Sequence, residues 1–391
     1  MNSHVTAWLM VSGIAAVLTG CGSSSNSAQG GPLSDAGASD AASLPDGDCL
    51  SGATTACTSF TTPTGVTLNL GPYGAQMDPN VGTGFENTLQ IGDTPDSGTY
   101  CETFADLFGK QSASLKAQLL DTTQNGITLN FQIDTVYRPA TWPTTPVPVL
   151  TWGNGTCAQP EGYGALLRYI ASYGFFIVAA NSREVGSGSP PPMLHALDYA
   201  AAANADSTSP YYQKLDLTRV GAMGHSQGGL ATVTAAMDPR VLDAIIFNAA
   251  DSCTKPFLAL SGTEDITGYT PAEMASAVDS APAPGAWIFY YDPIGTGPNG
   301  AGSFDGHLVL MTEPNRVAPP ATDWWQMVFQ NNATAESEFL GPTCGLCDDA
   351  GDNQYGENGL PPGSQEAGTP EAGPSGTPDA GPAEAGPSAD Q

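Results

Sequence analysis

The sequence predicts an α/β protein with a mostly parallel central sheet and helices on both faces. Three observations point there. From about residue 127 onward, short apolar runs alternate with stretches of helical spacing. A glycine-flanked serine stands at one of these junctions, in "RVGAMGHSQGGLATVTAAM", residues 219–237. Composition shifts at both ends confine folding to the middle of the 391-residue chain.

Taken in order, "ITLNFQIDTVYRP" alternates apolar and polar residues as an early antiparallel strand does. "VPVLTW" reads as a buried strand. Tyr163, Leu166, Leu167 and Ile170 recur at helical spacing, and Gly174 ends that helix. "FFIVAA" is the next strand, and "PPPMLHALDYAAAAN" opens on prolines and continues with helix formers. "RVGAMG" is the strand that delivers Ser226 to a helix start. "LDAIIFNAA", "KPFLALSG" and "GAWIFYYDP" supply three more strands, and "TDWWQMVFQ" reads as a closing helix. Only a few residues separate "AIIFNAA" from "PFLALSG", so no large lid domain is expected and large substrates can approach the cleft.

The ends are of another kind. Residues 1–21 form an apolar stretch of signal-peptide length that closes on Leu18-Thr19-Gly20-Cys21, similar to the lipobox in which a cysteine becomes the lipidated first residue. This places the mature chain outside the cytoplasm, in a bacterial cell envelope or secreted. A basic n-region is missing, since Lys110 is the first lysine or arginine. Residues 22–48 and 348–391 are rich in Ser, Gly, Ala, Pro and acids, too poor in apolar surface to offset the entropy of ordering. The folded domain is therefore expected at 49–347.

The formal charge of −29 is partly a property of those ends, where 13 of the 39 acidic residues lie. An acidic surface repels nucleic acid and has no pull toward anionic lipid, so any membrane contact is expected through the anchor alone. Beyond Cys21, seven cysteines occupy positions 49, 57, 101, 157, 253, 344 and 347. Spacing favours Cys49 with Cys57 and Cys344 with Cys347, and Cys157 with Cys253 if their loops share one end of the sheet. A lone CxxC and four histidines do not make a zinc site, so no metal is expected.

A serine needs a base to act as a nucleophile near neutral pH, most often a histidine. His4 leaves with the signal, His225 adjoins the serine and points elsewhere, and His195 belongs to an earlier helix pattern. His307, after the last predicted strand, remains. The carboxylate that orients it is read from "KPFLALSGTEDITGYTP" as Asp265, with Glu264 and Asp251 as alternatives. Transition-state charge requires donors: the N–H of Gln227, and one from Gly155 or Thr156 in "TWGNGTCAQP". Asn154-Gly155-Thr156 also fits a glycosylation sequon, read here as coincidence.

With strand, elbow, acid and histidine in place, residues 125–340 resemble the α/β-hydrolase superfamily. "LLRYIASYGFFIVAANS", "GAMGHSQGG" and "LSGTEDITG" are similar to its cutinase-like, polyester-hydrolase and chlorophyllase-type branch. The resemblance implies carboxylic ester hydrolysis through an acyl-enzyme by Ser226, His307 and Asp265, without cofactor. Where bacterial polyester hydrolases place an aromatic residue in the oxyanion loop and a tryptophan after the following strand, this sequence has "GNGTC" and "NAADSC". Acyl transfer by the same triad, or an inactive fold used as a surface binding module, are the competing expectations.

Overall fold

Val147–Gly153 is buried along its whole length, as a strand covered on both faces must be, and it lies inside the central sheet with a strand on either side. The computed structural model describes residues 57–62, 65–82, 101, 130, 133–183, 185, 191–262, 265, 271–281, 286–291, 305–340, 345–346 and 355–358. The strands are β1 (Ser59–Thr61), β2 (Thr67–Asn69), β3 (Ala75–Val81), β4 (Asp134–Pro139), β5 (Val147–Gly153) and β6 (Phe176–Ala180). They continue as β7 (Leu215–His225), β8 (Val241–Phe247), β9 (Phe257–Gly262), β10 (Ala286–Tyr291) and β11 (Tyr355–Asn358). The helices are α1 (Gly164–Ala171), α2 (Pro191–Ala205), α3 (Gln227–Ala235), α4 (Pro271–Asp279), α5 (Asp305–Thr312), α6 (Pro314–Gln330) and α7 (Ala333–Phe339).

Among the described residues the main sheet has nine strands in the order β11, β10, β9, β8, β7, β5, β6, β4, β3. From β6 across to β10 every pairing is parallel; β3, β4 and β11 pair antiparallel at the two edges. Two apolar layers cover the sheet. One joins Leu166, Leu167 and Ile170 of α1 to Val309 and Leu310 of α5 and Trp324 and Trp325 of α6. The other joins Met193 and Leu197 of α2, Ala231 and Val233 of α3, and Met274 and Val278 of α4. The expected α/β architecture, with helices on both faces, is what the chain forms.

Three elements depart from the sequence reading. His307, expected in a loop, lies in the first turn of α5. The closing helix starts at Pro314, well before "TDWWQMVFQ"; Pro319 and Pro320 sit inside it and remove N–H donors, and burial of Val317, Ala318 and Ala321 holds the early turns in place. The tail expected to be unstructured from 348 contributes β11, paired with β10 through Phe289 and Tyr355. The signal, the 22–48 linker and Cys21 lie outside the described residues.

Asp323, half-buried on α6, has its carboxyl pushed up to about 6 by burial and then by the charge of Glu338 on α7. In the unfolded chain the same group titrates near 3.8. Between these values the folded state binds more protons, so this group's contribution falls as pH rises toward 6, and its penalty is complete above that. Asp323→Asn should therefore raise Tm at pH 8 and leave it nearly unchanged at pH 4. Calorimetry at the two pH values checks this, and an equal shift at both would contradict it.

Candidate active site

β7 ends in Gly224-His225, and the chain turns at once into α3 through Ser226. Ser226 has φ 55° and ψ −118°, a conformation that costs a non-glycine residue about 1–3 kcal/mol and persists only where neighbours enforce it. They do so here. Its N–H donates to the Phe247 carbonyl of β8 at 2.9 Å, and its own carbonyl accepts from Leu230 N–H at 3.1 Å. Gly224 and Gly228 are packed so closely that a Cβ on Gly224 would press into the Gly228 backbone. The sharp strand-to-helix turn expected around "GHSQG" is present, at the carboxyl edge of the parallel strands where α/β sheets bind ligands.

The same edge carries the carboxylate and the histidine. β9 ends at Gly262, and Asp265 follows it, buried. Its Oδ2 accepts from His307 Nδ1 at 2.9 Å, the His307 side chain being only 4% exposed. Donation from Nδ1 fixes the tautomer and leaves Nε2 as the basic nitrogen. The structure thus brings Asp265 and His307 together as the sequence expected. Asp251 is exposed, its Oδ1 capping Ser252 N–H at 2.8 Å, and Glu264 lies outside the described residues. His195 pairs with buried Asp134 at 3.1 Å instead.

Three further side chains were given no place at the site by the sequence reading. Asn248 follows β8 in the left-handed region, φ 48°. Its Nδ2 donates both to Asp265 Oδ2 and to the Gly306 carbonyl, each at 3.0 Å. His225 turns inward rather than away: its ring lies 4.6 Å from the His307 ring, and its Nε2 donates to the His307 carbonyl at 2.8 Å. Burial, followed by the neighbouring His307, holds its pKa well below the ordinary histidine value, so the ring is neutral. Tyr163, just before α1, lies 3.0 Å from His225 Nδ1. Only the position of His225 was a sequence signal; asparagine and tyrosine are too common for theirs to stand out.

On the oxyanion side, the Gly155 expectation needs correction. Its N–H donates to Tyr163 Oη at 3.0 Å and is committed there. The Cys157 N–H donates to the Arg183 carbonyl at 2.8 Å. Thr156 and Asn154 remain in that loop, whose Asn154 carbonyl packs against Gly228 in the first turn of α3; the N–H of Gln227 opens that helix with no carbonyl of the helix behind it. Asn154 itself is fully buried: Oδ1 accepts from Trp152 Nε1 at 2.8 Å, and Nδ2 donates to the carbonyls of Ala180 and Ser182 at 2.7 and 2.9 Å. A side chain so engaged is no glycosylation acceptor.

The cysteine pairing also differs. Cys157 is bonded to Cys101, not to Cys253, with Cα atoms 5.4 Å apart, and so ties the loop after β5 to a residue 56 positions away. Cys253 is free and buried, its thiol pushed up to about 11 by burial. Cys57 is disulfide-bonded to a partner outside the described residues, and Cys49, Cys344 and Cys347 lie outside them as well.

No curated protein matches the chain. A family model described as PETase, PET hydrolase-like, matches residues 131–283, a stretch that runs from β4 past Ser226 and Asp265 and ends before His307. That family is one of ester hydrolases. The architecture of the sheet and this match agree: the sheet is that of an α/β-hydrolase, and over residues 131–283 the chain is similar to the PET hydrolase-like family of polyester hydrolases.

Proposed function

We propose that the chain is a serine hydrolase of carboxylic esters in which Ser226 is the nucleophile, His307 the base and Asp265 the residue that orients it. The observation that carries this is the buried Asp265–His307 pair on the same sheet edge as the strained Ser226, with the His225 ring of the elbow against the His307 ring. In this reading His307 Nε2 takes the Ser226 proton as Oγ attacks the ester carbonyl. The tetrahedral oxyanion is met by Gln227 N–H and a second N–H from the 154–156 loop. Collapse expels the alcohol, which takes the proton back from His307, and water then releases the acid from the acyl-enzyme by the same steps.

Asp265 does not accept the proton; its negative charge beside Nδ1 steadies the imidazolium. The matched family's description supports a polyester as substrate, and a polymer chain is the substrate class proposed. A serine-directed phosphonate should label the wild-type protein at Ser226, as mapped by peptide mass. Absence of label on an intact, folded protein would overturn the reading.

The sequence Leu18-Thr19-Gly20-Cys21 supports a further proposal, that the enzyme works outside the cytoplasm on a lipid anchor at Cys21. Cells expressing the chain should incorporate labelled fatty acid into it. Incorporation that persists unchanged in Cys21→Ser would refute the anchor.

A further inference from the structure

We infer that His225, Tyr163 and Asn248 are positioning residues that set the catalytic histidine and couple it to the oxyanion loop; this rests on the triad reading above. The hydrogen bonds fix one another's direction. A carbonyl only accepts, so the 2.8 Å contact between His225 Nε2 and the His307 carbonyl puts the ring proton on Nε2. A neutral ring then has Nδ1 as an acceptor, so the Tyr163 hydroxyl donates to it at 3.0 Å. The Tyr163 oxygen, its proton spent, accepts the Gly155 N–H at 3.0 Å. A single directed chain therefore runs from the 155 peptide through Tyr163 and His225 to the 307 peptide.

Asn248 supplies the other hold. One Nδ2 reaches both Asp265 Oδ2 and the Gly306 carbonyl, so successive carbonyls at 306 and 307 are gripped from the last residue of β7 and the first residue after β8. The His307 ring is gripped by Asp265 from the loop after β9. His225 and Tyr163 are almost wholly buried, at 2% and 1% exposure, and are packed ring on ring at 5.5 Å. Packing alone would be met by apolar side chains. What apolar side chains would not supply is a fixed distance between the peptide that carries the base and the loop that receives the oxyanion, and small displacements of that distance are costly to catalysis. The chain also has a charge consequence. The groups facing His225 are Tyr163, His307 and Asp265. A neutral His225 leaves Asp265 to the imidazolium that forms on His307 during attack.

The test separates positioning from mere structure by comparing kcat with KM on a soluble activated ester. Tyr163→Phe breaks the chain at its middle, and His225→Leu removes it at the histidine. Each should lower kcat about 10- to 100-fold with KM within about twofold. His225→Gln keeps an N–H able to reach the 307 carbonyl and should recover part of the loss. Values of kcat within twofold of wild type in Tyr163→Phe and His225→Leu would overturn the inference, as would a Gln variant no better than Leu.

Should the variants fail to fold, nitrogen-15 NMR of the wild-type imidazoles decides independently. A solvent-protected proton on His225 Nε2 supports the directed chain, and one on Nδ1 overturns it. Phosphonate labelling keeps the two failures apart. Labelled Ser226 with undiminished variants sinks only the positioning role, whereas an unlabelled wild type sinks the triad itself.

Discussion

Ser226→Ala should lower kcat on a short-chain activated ester by about 10⁶, and Asp265→Asn by about 10⁴, with the double variant no worse than the serine variant alone. The inequality follows from the roles proposed for the two residues. Without Ser226 Oγ there is no acyl-enzyme, and what remains is whatever binding and oxyanion donors offer a water molecule. Without the Asp265 charge the serine is intact but its base is mis-set. Two donors converge on Asp265 Oδ2, His307 Nδ1 at 2.9 Å and Asn248 Nδ2 at 3.0 Å. A neutral amide oxygen there is a poorer acceptor for both. An amide turned the other way donates to Nδ1 and drives the ring proton to Nε2, where it blocks the base. Because the steps act as a unit, the losses do not add. Steady-state kinetics with active-site titration by the phosphonate checks this, and an Asp265→Asn enzyme within tenfold of wild type would remove Asp265 from the mechanism.

How much of this was legible in the sequence differs by residue, and for physical reasons. β5 to β9 were readable because buried parallel strands are apolar runs, and "VPVLTW" can be little else. His307 was readable because the chain has only four histidines, three of them poorly placed. Its setting in a helix was not, since glycines upstream hide the start of α5. The early strands β1 and β2 are three residues each with one buried side chain apiece, too short for a period to show. Asn248 and Tyr163 acquire roles only because β8, β7 and β5 are neighbours, an order that crosses the sequence. The disulfide makes the same point. A shared sheet end favoured Cys253 as the partner of Cys157, whereas the bond is set by a 5.4 Å approach to Cys101 across 56 residues of separation.

Gly228→Ala should destabilise the protein by about 3 kcal/mol or more and lower kcat of the remaining folded enzyme by about 100-fold. Ordinary overpacking costs 1–3 kcal/mol because a side chain can give way. Here nothing of the kind is available. A Cβ at 228 would collide with the backbone carbonyl of Gly153 and come within 2.6 Å of the Asn154 carbonyl oxygen, and all of these are backbone atoms. Gly153 presses back, since its own Cβ would stand 3.0 Å from Gly228 Cα. Either the first turn of α3 lifts from β5 or the 153–156 loop swings out, and both movements separate Gln227 N–H from the loop proposed to supply the second oxyanion donor. Gly162→Ala is the comparison, because there the added Cβ meets only the terminal Cε of Met311, 2.9 Å away on a flexible side chain. That variant should unfold in urea within about 1 kcal/mol of wild type and keep its kcat. If Gly228→Ala matches it in both, the backbone contact between β5 and α3 is not what holds the elbow against the oxyanion loop.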